Sequence, residues 1–157
     1  MKLSTLLAEP LMLLDLESGE RESALREMVA ALKRAKKISR ERDLYDKILQ
    51  RENLGSTAVG GGVAIPHGKH KDVKSPVVLF ALSRRGVEFG APDGKPVRVF
   101  FFVVSHPDNP GLNLQILAAI AHLLRKSPGL AERLVEAGTA RRVLDIIREE
   151  EEGLHEG

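Results

Sequence analysis

Val97-Arg98-Val99-Phe100-Phe101-Phe102-Val103-Val104 is the strongest strand signal in the chain. β-branched and aromatic residues fill it apart from Arg98, and from Phe100 onward the apolar residues are consecutive. A strand with one wet face would alternate; an unbroken run demands burial on both sides, hence helices above and below the sheet. Pro76-Val77-Val78-Leu79-Phe80-Ala81-Leu82 is a second run apolar enough for a central position. The expected fold class is α/β: a single three-layer domain, with a mixed sheet of about five strands and helices on both faces.

Outward from these runs, Leu11 to Leu14 is a candidate first strand. From Glu20 to Lys36 the residues Ala24, Leu25, Met28, Val29 and Leu32 fall at helical spacing and define one buried stripe. Lys33, Arg34, Lys36 and Lys37 follow, as a solvated helix end whose cations oppose the negative dipole. Ser39 opens a second helix with Leu44, Ile48 and Leu49 on its apolar face, ending near Asn53-Leu54-Gly55. Its capping-box partner position holds Arg42 in place of Glu or Gln. Arg84-Arg85-Gly86 reads as a turn and Val87 to Phe89 as a short edge strand. Ala91-Pro92-Asp93-Gly94 is a turn with Gly in the positive-φ position. After the central strand come a loop, Ser105 to Gly111, and helices near 112–125 and 130–137. Thr139 caps a last helix with Val143, Leu144, Ile146 and Ile147 as its core residues. Residues 148–157, with four consecutive Glu from Glu149, read as a frayed acidic tail. There is no internal repeat and no dividing linker, so residues 1–157 are expected to form one domain.

Composition narrows the function classes. Of 157 residues, 43% are hydrophobic and 29% charged, which fits a globular rather than a disordered chain. Net charge is only +2, and with no Trp and one Tyr there is no stacking platform for single-stranded nucleic acid, so no nucleic-acid partner is expected. The absence of Cys excludes disulfides, thiolate chemistry and Cys-based zinc sites, and fits a cytoplasmic protein. The first apolar stretch, Leu3 to Leu14, is broken by Glu9 and Pro10 and fits neither a signal peptide nor a membrane span.

The chemistry-bearing stretch is Ser56-Thr57-Ala58-Val59-Gly60-Gly61-Gly62-Val63-Ala64-Ile65-Pro66-His67-Gly68. Val63-Ala64-Ile65 reads as a short buried strand. Pro66 cannot donate a ladder hydrogen bond and should end it, leaving His67 at a strand end on a sharp turn. A lone histidine there also suits a plain surface residue. His67 and His70 form an H-x-x-H pair, but they follow a strand and no third ligand is apparent, so no metal is expected. His122, in a helix, and His155, in the tail, read as structural.

The run S-T-A-V-G-G-G-V-A-I-P-H-G-K resembles the phosphorylation motif of phosphotransferase-system EIIA domains of the mannitol/fructose/nitrogen-regulatory class, EIIA type 2. Arg51-Glu52 is similar to that family's Arg-Glu pair upstream of the histidine. Gly90 to Val97 resembles its D-G-x-P-V turn and strand, and Leu114-Gln115-Ile116-Leu117 the start of its following helix. The likeness runs from about Leu11 to about Ile147. It implies that His67 is a phosphoryl acceptor, supported by Arg51 and by the adjoining Gly68. It implies a donor, HPr or a nitrogen-branch relative, and an onward acceptor, a cysteine of a separate EIIB domain or a regulated target. Contact with a membrane would then be indirect, through a transporter.

Neutral imidazole suits the task, since it offers a nucleophilic nitrogen near neutral pH. The glycines are expected to bring backbone N–H groups to the phosphate oxygens as a nest, and Arg51 to add charge-assisted hydrogen bonds. Neither metal nor organic cofactor is required. One position departs from the family pattern: where a second histidine commonly stands, this chain has Asn113. An amide can donate a hydrogen bond but carries no charge; His106, from the preceding loop, is the candidate substitute. The alternative reading is a regulatory module of the same fold that docks on a partner, with phosphorylation absent or acting only as a switch.

Overall fold

The computed structural model describes residues 2–156, and side chains through Gly153. Its centre is the run that decided the fold class. Strand β6 (Val97–Ser105) is buried at every position but Arg98. It pairs antiparallel with β5 (Val77–Val87), setting Phe80 opposite Phe101. β1 (Met12–Leu13) lies parallel to β5 on the far side. On the other flank, β3 (Val63–Ala64) and β4 (His67–Lys69) both run parallel to β6, and β2 (Ala58–Gly60) closes antiparallel on β3. The result is a six-stranded mixed sheet ordered β1-β5-β6-β3-β2, with β4 also beside β6.

Alternation along β6 divides the core in two. Phe100, Phe102 and Val104 join Leu25, Met28 and Leu32 of α1 (Arg21–Arg34) and Leu44 and Ile48 of α2 (Glu41–Asn53). Val99, Phe101 and Val103 join Ile116 and Ile120 of α3 (Pro110–Lys126), Leu134 of α4 (Leu130–Glu136) and Ile146 of α5 (Ala140–Glu156). One aromatic pair marks each face. Phe89 meets Phe100 edge-on at 5.2 Å, and Phe80 meets Phe101 at 5.4 Å. A strand without a wet face thus specifies both helical layers.

The structure corrects several boundaries. Arg84-Arg85-Gly86 does not end β5: the strand continues to Val87 through a register shift. The Ser83 hydroxyl accepts the Gly86 N–H at 3.0 Å, and a Cβ on Gly86 would lie 2.6 Å from Pro96 Cβ. The basic and glycine residues that read as a turn mark a bulge. Residues 9–11 form a 3-10 turn, which leaves only Met12 and Leu13 for the first strand.

The acidic tail is corrected too. α5 continues through Glu156, and Glu151 is buried against the N-terminal segment, accepting the Ser4 N–H at 3.3 Å. Glu150 accepts the Ser127 hydroxyl at 2.8 Å and pairs with Arg133. A run of glutamates reads as solvated, but here three of them, Glu149, Glu150 and Glu151, have partners far away in sequence. Among the described residues no helix is long and apolar enough to cross a membrane.

Candidate functional site

β3 and β4 form one line beside β6. Val63 pairs with Val99 and His67 with Val103, so the register is the same before and after Pro66. Pro66 interrupts the ladder without shifting it, and its carbonyl still accepts the Val103 N–H at 2.9 Å. His67 therefore opens a strand; the expectation that it stands on a sharp turn beyond one is corrected. Its pairing with Val103 turns its side chain toward the α3 face, while Gly68, beside Val104, faces α2.

Pro66 and His70 engage β6 through their backbones, so in a strand the carbonyls of Ile65 and His67, on either side of Pro66, point to the opposite, outer edge. The His67 ring folds back to that edge, with Nδ1 2.8 Å from the Ile65 carbonyl oxygen. A carbonyl only accepts, so Nδ1 carries the proton and Nε2 holds the lone pair. Nε2 has no hydrogen-bond partner among the described residues, and His67 is half-buried.

Arg51 arrives from the last turn of α2. Its Nη1 donates to the Gly55 carbonyl at 2.7 Å. β2 pairs Ala58 with Ala64, and Thr57 accepts the Ile65 N–H at 3.1 Å. Gly55 lies in the bend before β2, outside the ladder, and among the described residues no hydrogen bond joins Arg51 to His67. Glu52, 2% exposed, holds this segment in place. It accepts the Thr57 N–H at 3.1 Å and the Thr57 hydroxyl. The Arg-Glu pair thus divides its work: Glu52 fixes the chain that leads to β2, and Arg51 stays at the surface beside it.

The three glycines lie elsewhere. Gly60, Gly61 and Gly62 all have positive φ, between 64° and 90°, and make the β2–β3 turn. Five residues, Gly62 to Pro66, lie between Gly61 and His67, a chain that spans at most roughly 20 Å. The Gly61 N–H already donates to Asp93 Oδ2 at 3.0 Å. The Lys95 and Gly61 N–H groups hold the Asp93 carboxyl below the usual carboxylate range. The expected phosphate nest is corrected: the three glycines make a hairpin turn, and the Gly61 amide serves a carboxylate of the chain itself. Gly68 has a packing reason of its own, since a Cβ there would lie 2.6 Å from Ile48 Cδ1. It lets α2 approach β4.

Asn113 sits in the first turn of α3 on its buried stripe, 8% exposed. Its Oδ1 is buried without a hydrogen-bond partner. β6 leads into α3 from Ser105, which pairs with Lys69, so Asn113 belongs to the layer that His67 faces. His106 follows Ser105 directly, but its Nδ1 accepts the Asp108 N–H at 3.1 Å within its own loop. That turn already occupies one of its two ring nitrogens.

The H-x-x-H pair is split across the sheet. His70 is fully buried on the α2 side. Its Nε2 lies 2.7 Å from Asp43 Oδ2, and its Nδ1 accepts the Asp72 N–H at 3.0 Å. The hydrogen bond from His70 holds the Asp43 carboxyl below its usual range. Backbone N–H groups of Arg40 and Ser39 depress the Asp72 carboxyl further. Asp72, not Ser39, thereby serves the start of α2, accepting those N–H groups at 3.0 Å each. No sequence signal joins residues this far apart; only the paired strands bring them together. His122 is exposed on α3, and the His155 side chain lies outside the described residues. Among the described residues no cluster of three His, Cys, Asp or Glu could hold a metal ion.

The fold and the placement of His67 define a class, and comparison with known proteins supplies its name. Residues 5–150 match the family described as "Phosphoenolpyruvate-dependent sugar phosphotransferase system, EIIA 2", and the chain belongs to that family. It is 36% identical over 94% of its length to a nitrogen regulatory protein of Bradyrhizobium diazoefficiens, covering 95% of that protein. It is 32% identical over 95% of its length to the fructose-specific EIIABC component of Bacillus subtilis, of which it spans 23%. Among solved structures, the nitrogen regulatory protein IIA-Ntr of Neisseria meningitidis superposes with a TM-score of 0.83 at 33% identity, over 92% of this chain and 97% of that one.

Proposed function

We propose that this chain is a phosphocarrier that accepts a phosphoryl group on Nε2 of His67 and passes it on. The observation that carries the reading is the 2.8 Å contact between His67 Nδ1 and the Ile65 carbonyl. It fixes the tautomer and leaves Nε2 as the free nucleophile. Family membership supports the role and points to a phosphohistidine on an HPr-type protein as donor.

In the step, the Nε2 lone pair forms a bond to phosphorus as the donor's P–N bond breaks, and the donor nitrogen takes back the electron pair. The proton on Nδ1 stays against the Ile65 carbonyl. Arg51 offsets charge on the phosphoryl oxygens from the α2 side, and the Asn113 amide offers a neutral donor from α3. Onward transfer to an EIIB cysteine, in which the thiolate sulfur bonds to phosphorus as the P–Nε2 bond breaks and Nε2 takes back the electron pair, would serve sugar uptake, as the name of the Bacillus relative suggests. Transfer withheld would serve as a regulatory signal, as the name of the Bradyrhizobium relative suggests. The protein then acts as a phosphotransferase component without a cofactor.

Incubation with phosphoenolpyruvate, enzyme I and HPr tests the reading. Acid-labile label on the wild type, absent from His67→Ala, is the expected result; an unlabelled wild type overturns it. The neutral Asn113 favours a second reading, a docking module for a regulated partner, because phosphate on His67 would be held with one charge fewer. Partner binding that is indifferent to His67→Ala and to phosphorylation would select that one.

A further inference from the structure

Burying a histidine ring costs free energy unless both nitrogens are satisfied. An apolar side chain would fill the same space without that cost. At His70 both nitrogens are satisfied, by two different segments. The backbone N–H of His70 donates to the Ser105 carbonyl at 2.9 Å and prolongs the pairing of β4 with β6. The ring projects to α2. Because Nδ1 accepts the Asp72 N–H, the ring proton is on Nε2 and is donated to Asp43.

The charges around the ring are balanced. Asp43 also meets Lys47 at 3.7 Å, and Asp72 meets Arg40 at 3.0 Å. Asp72 Oδ2 stands 3.5 Å from Nδ1. Ring and Asp72 together clamp the beginning of α2 to the end of β4. Further along the same helix Ile48 rests on Gly68, and Arg51 reaches Gly55. His67 belongs to β4 and Arg51 to α2, so the relation between them depends on how these two elements are joined. From Asp43 to Arg51 the helix runs about 12 Å, and a tilt at one end displaces the other.

We propose that His70 is a positioning residue for phosphoryl transfer at His67, acting through Asp43 to hold α2, and with it Arg51, in place against β4. The proposal rests on the phosphocarrier reading. Misplacement by about 1 Å costs up to about 100-fold in rate, so loss of the clamp is expected to lower the transfer rate at least about tenfold and leave the donor KM unchanged.

The experiment measures phosphorylation of the full chain by phosphoenolpyruvate, enzyme I and HPr in wild type, His70→Leu, His70→Gln and Asp43→Ala. Gln keeps an N–H donor for Asp43 and is expected to stay within about threefold of wild type, while Leu and Asp43→Ala lose about tenfold or more. Should His70→Leu not fold, Asp43→Ala, with the ring still in place, decides. Imidazole 15N spectra of the wild type should show the His70 proton on Nε2. A wild-type rate in Asp43→Ala, a raised KM with an unchanged rate, or a proton on Nδ1 overturns the proposal. A wild type that takes no label overturns the phosphocarrier reading instead, and the 15N tautomer still tests the clamp.

Discussion

The imidazole of His67 is bonded to the carbonyl of Ile65, two residues back in its own chain, at 2.8 Å. The intervening residue is Pro66, whose fixed φ limits how the two can move apart. The ring is therefore oriented by local backbone. The phosphoryl group is expected on Nε2 and not on Nδ1. The proton-coupled 15N and 31P spectra of the phosphorylated protein distinguish the two isomers, and a phosphorus coupling to Nδ1 would contradict the geometry.

Gly68 and Ile48 make the closest approach between β4 and α2. A methyl group at Gly68 would meet Ile48 Cδ1 at 2.6 Å in a site where Ile48 is fully buried. Gly68→Ala is expected to cost about 1–3 kcal/mol through overpacking. Ile48→Val, which deletes Cδ1, costs about 0.5–1.5 kcal/mol alone. In the double variant the valine makes room for the alanine, so the two costs should not add. Denaturant unfolding of the four proteins provides the cycle, and strict additivity would show that the contact is not the constraint.

What the sequence reveals of this molecule follows from what local pattern can encode. Phe100 to Val104 announces burial on both faces, and the helical stripes at Ala24 to Leu32 and at Leu44 to Ile48 announce the layer beneath. The motif around His67 marks the ring proposed as the phosphoryl acceptor. The purpose of the glycines is not legible locally, because positive φ is shared by a hairpin turn and a phosphate nest; only the Asp93 contact separates them. His70, Asp43 and Asp72 carry no local pattern that marks them as a group, since the first two lie 27 positions apart. The pairing of the α5 glutamates is hidden for the same reason.

Acid should weaken the join between α2 and β4. The Asp72 and Asp43 carboxyls are both held below their usual value of 3.8, by the Arg40 and Ser39 N–H groups and by the His70 hydrogen bond respectively. A depressed native value contributes stability that is complete above the ordinary range and is lost as pH falls through it. Stability should decline as pH drops below about 5, and Asp72→Asn should flatten that decline while lowering stability at neutral pH. Urea midpoints between acid and neutral pH check this; an unchanged slope in Asp72→Asn would assign the acid sensitivity to other groups.

Glu151 ties the end of α5 to the Ser4 backbone. Glu151→Ala would leave that buried N–H without its acceptor, at a cost of about 1–3 kcal/mol. Glu151→Gln, which keeps an acceptor, should recover most of the loss. Thermal unfolding of the two variants tests whether the acidic run is structural, and equal midpoints with wild type would return it to the status of a solvated tail.

Asn113 allows folding and phosphate binding to be separated. Its Oδ1 is buried and unpaired, so removing it relieves an unsatisfied group. Asn113→Ala should therefore leave stability within about 1 kcal/mol of wild type while slowing phosphorylation of His67. Asn113→His adds a chargeable donor where the family commonly carries one. A hydrogen bond to a charged group exceeds a neutral one by about 1 kcal/mol, about fivefold in rate. The position lies in the first turn of α3, where the helix dipole opposes an imidazolium by about 0.3–1 kcal/mol but favours a phosphate. The two effects nearly cancel, so Asn113→His is expected to gain less than about fivefold in phosphohistidine lifetime. A larger gain would mean that the dipole contributes little at this site, and no loss in Asn113→Ala would remove the amide from the phosphate's surroundings.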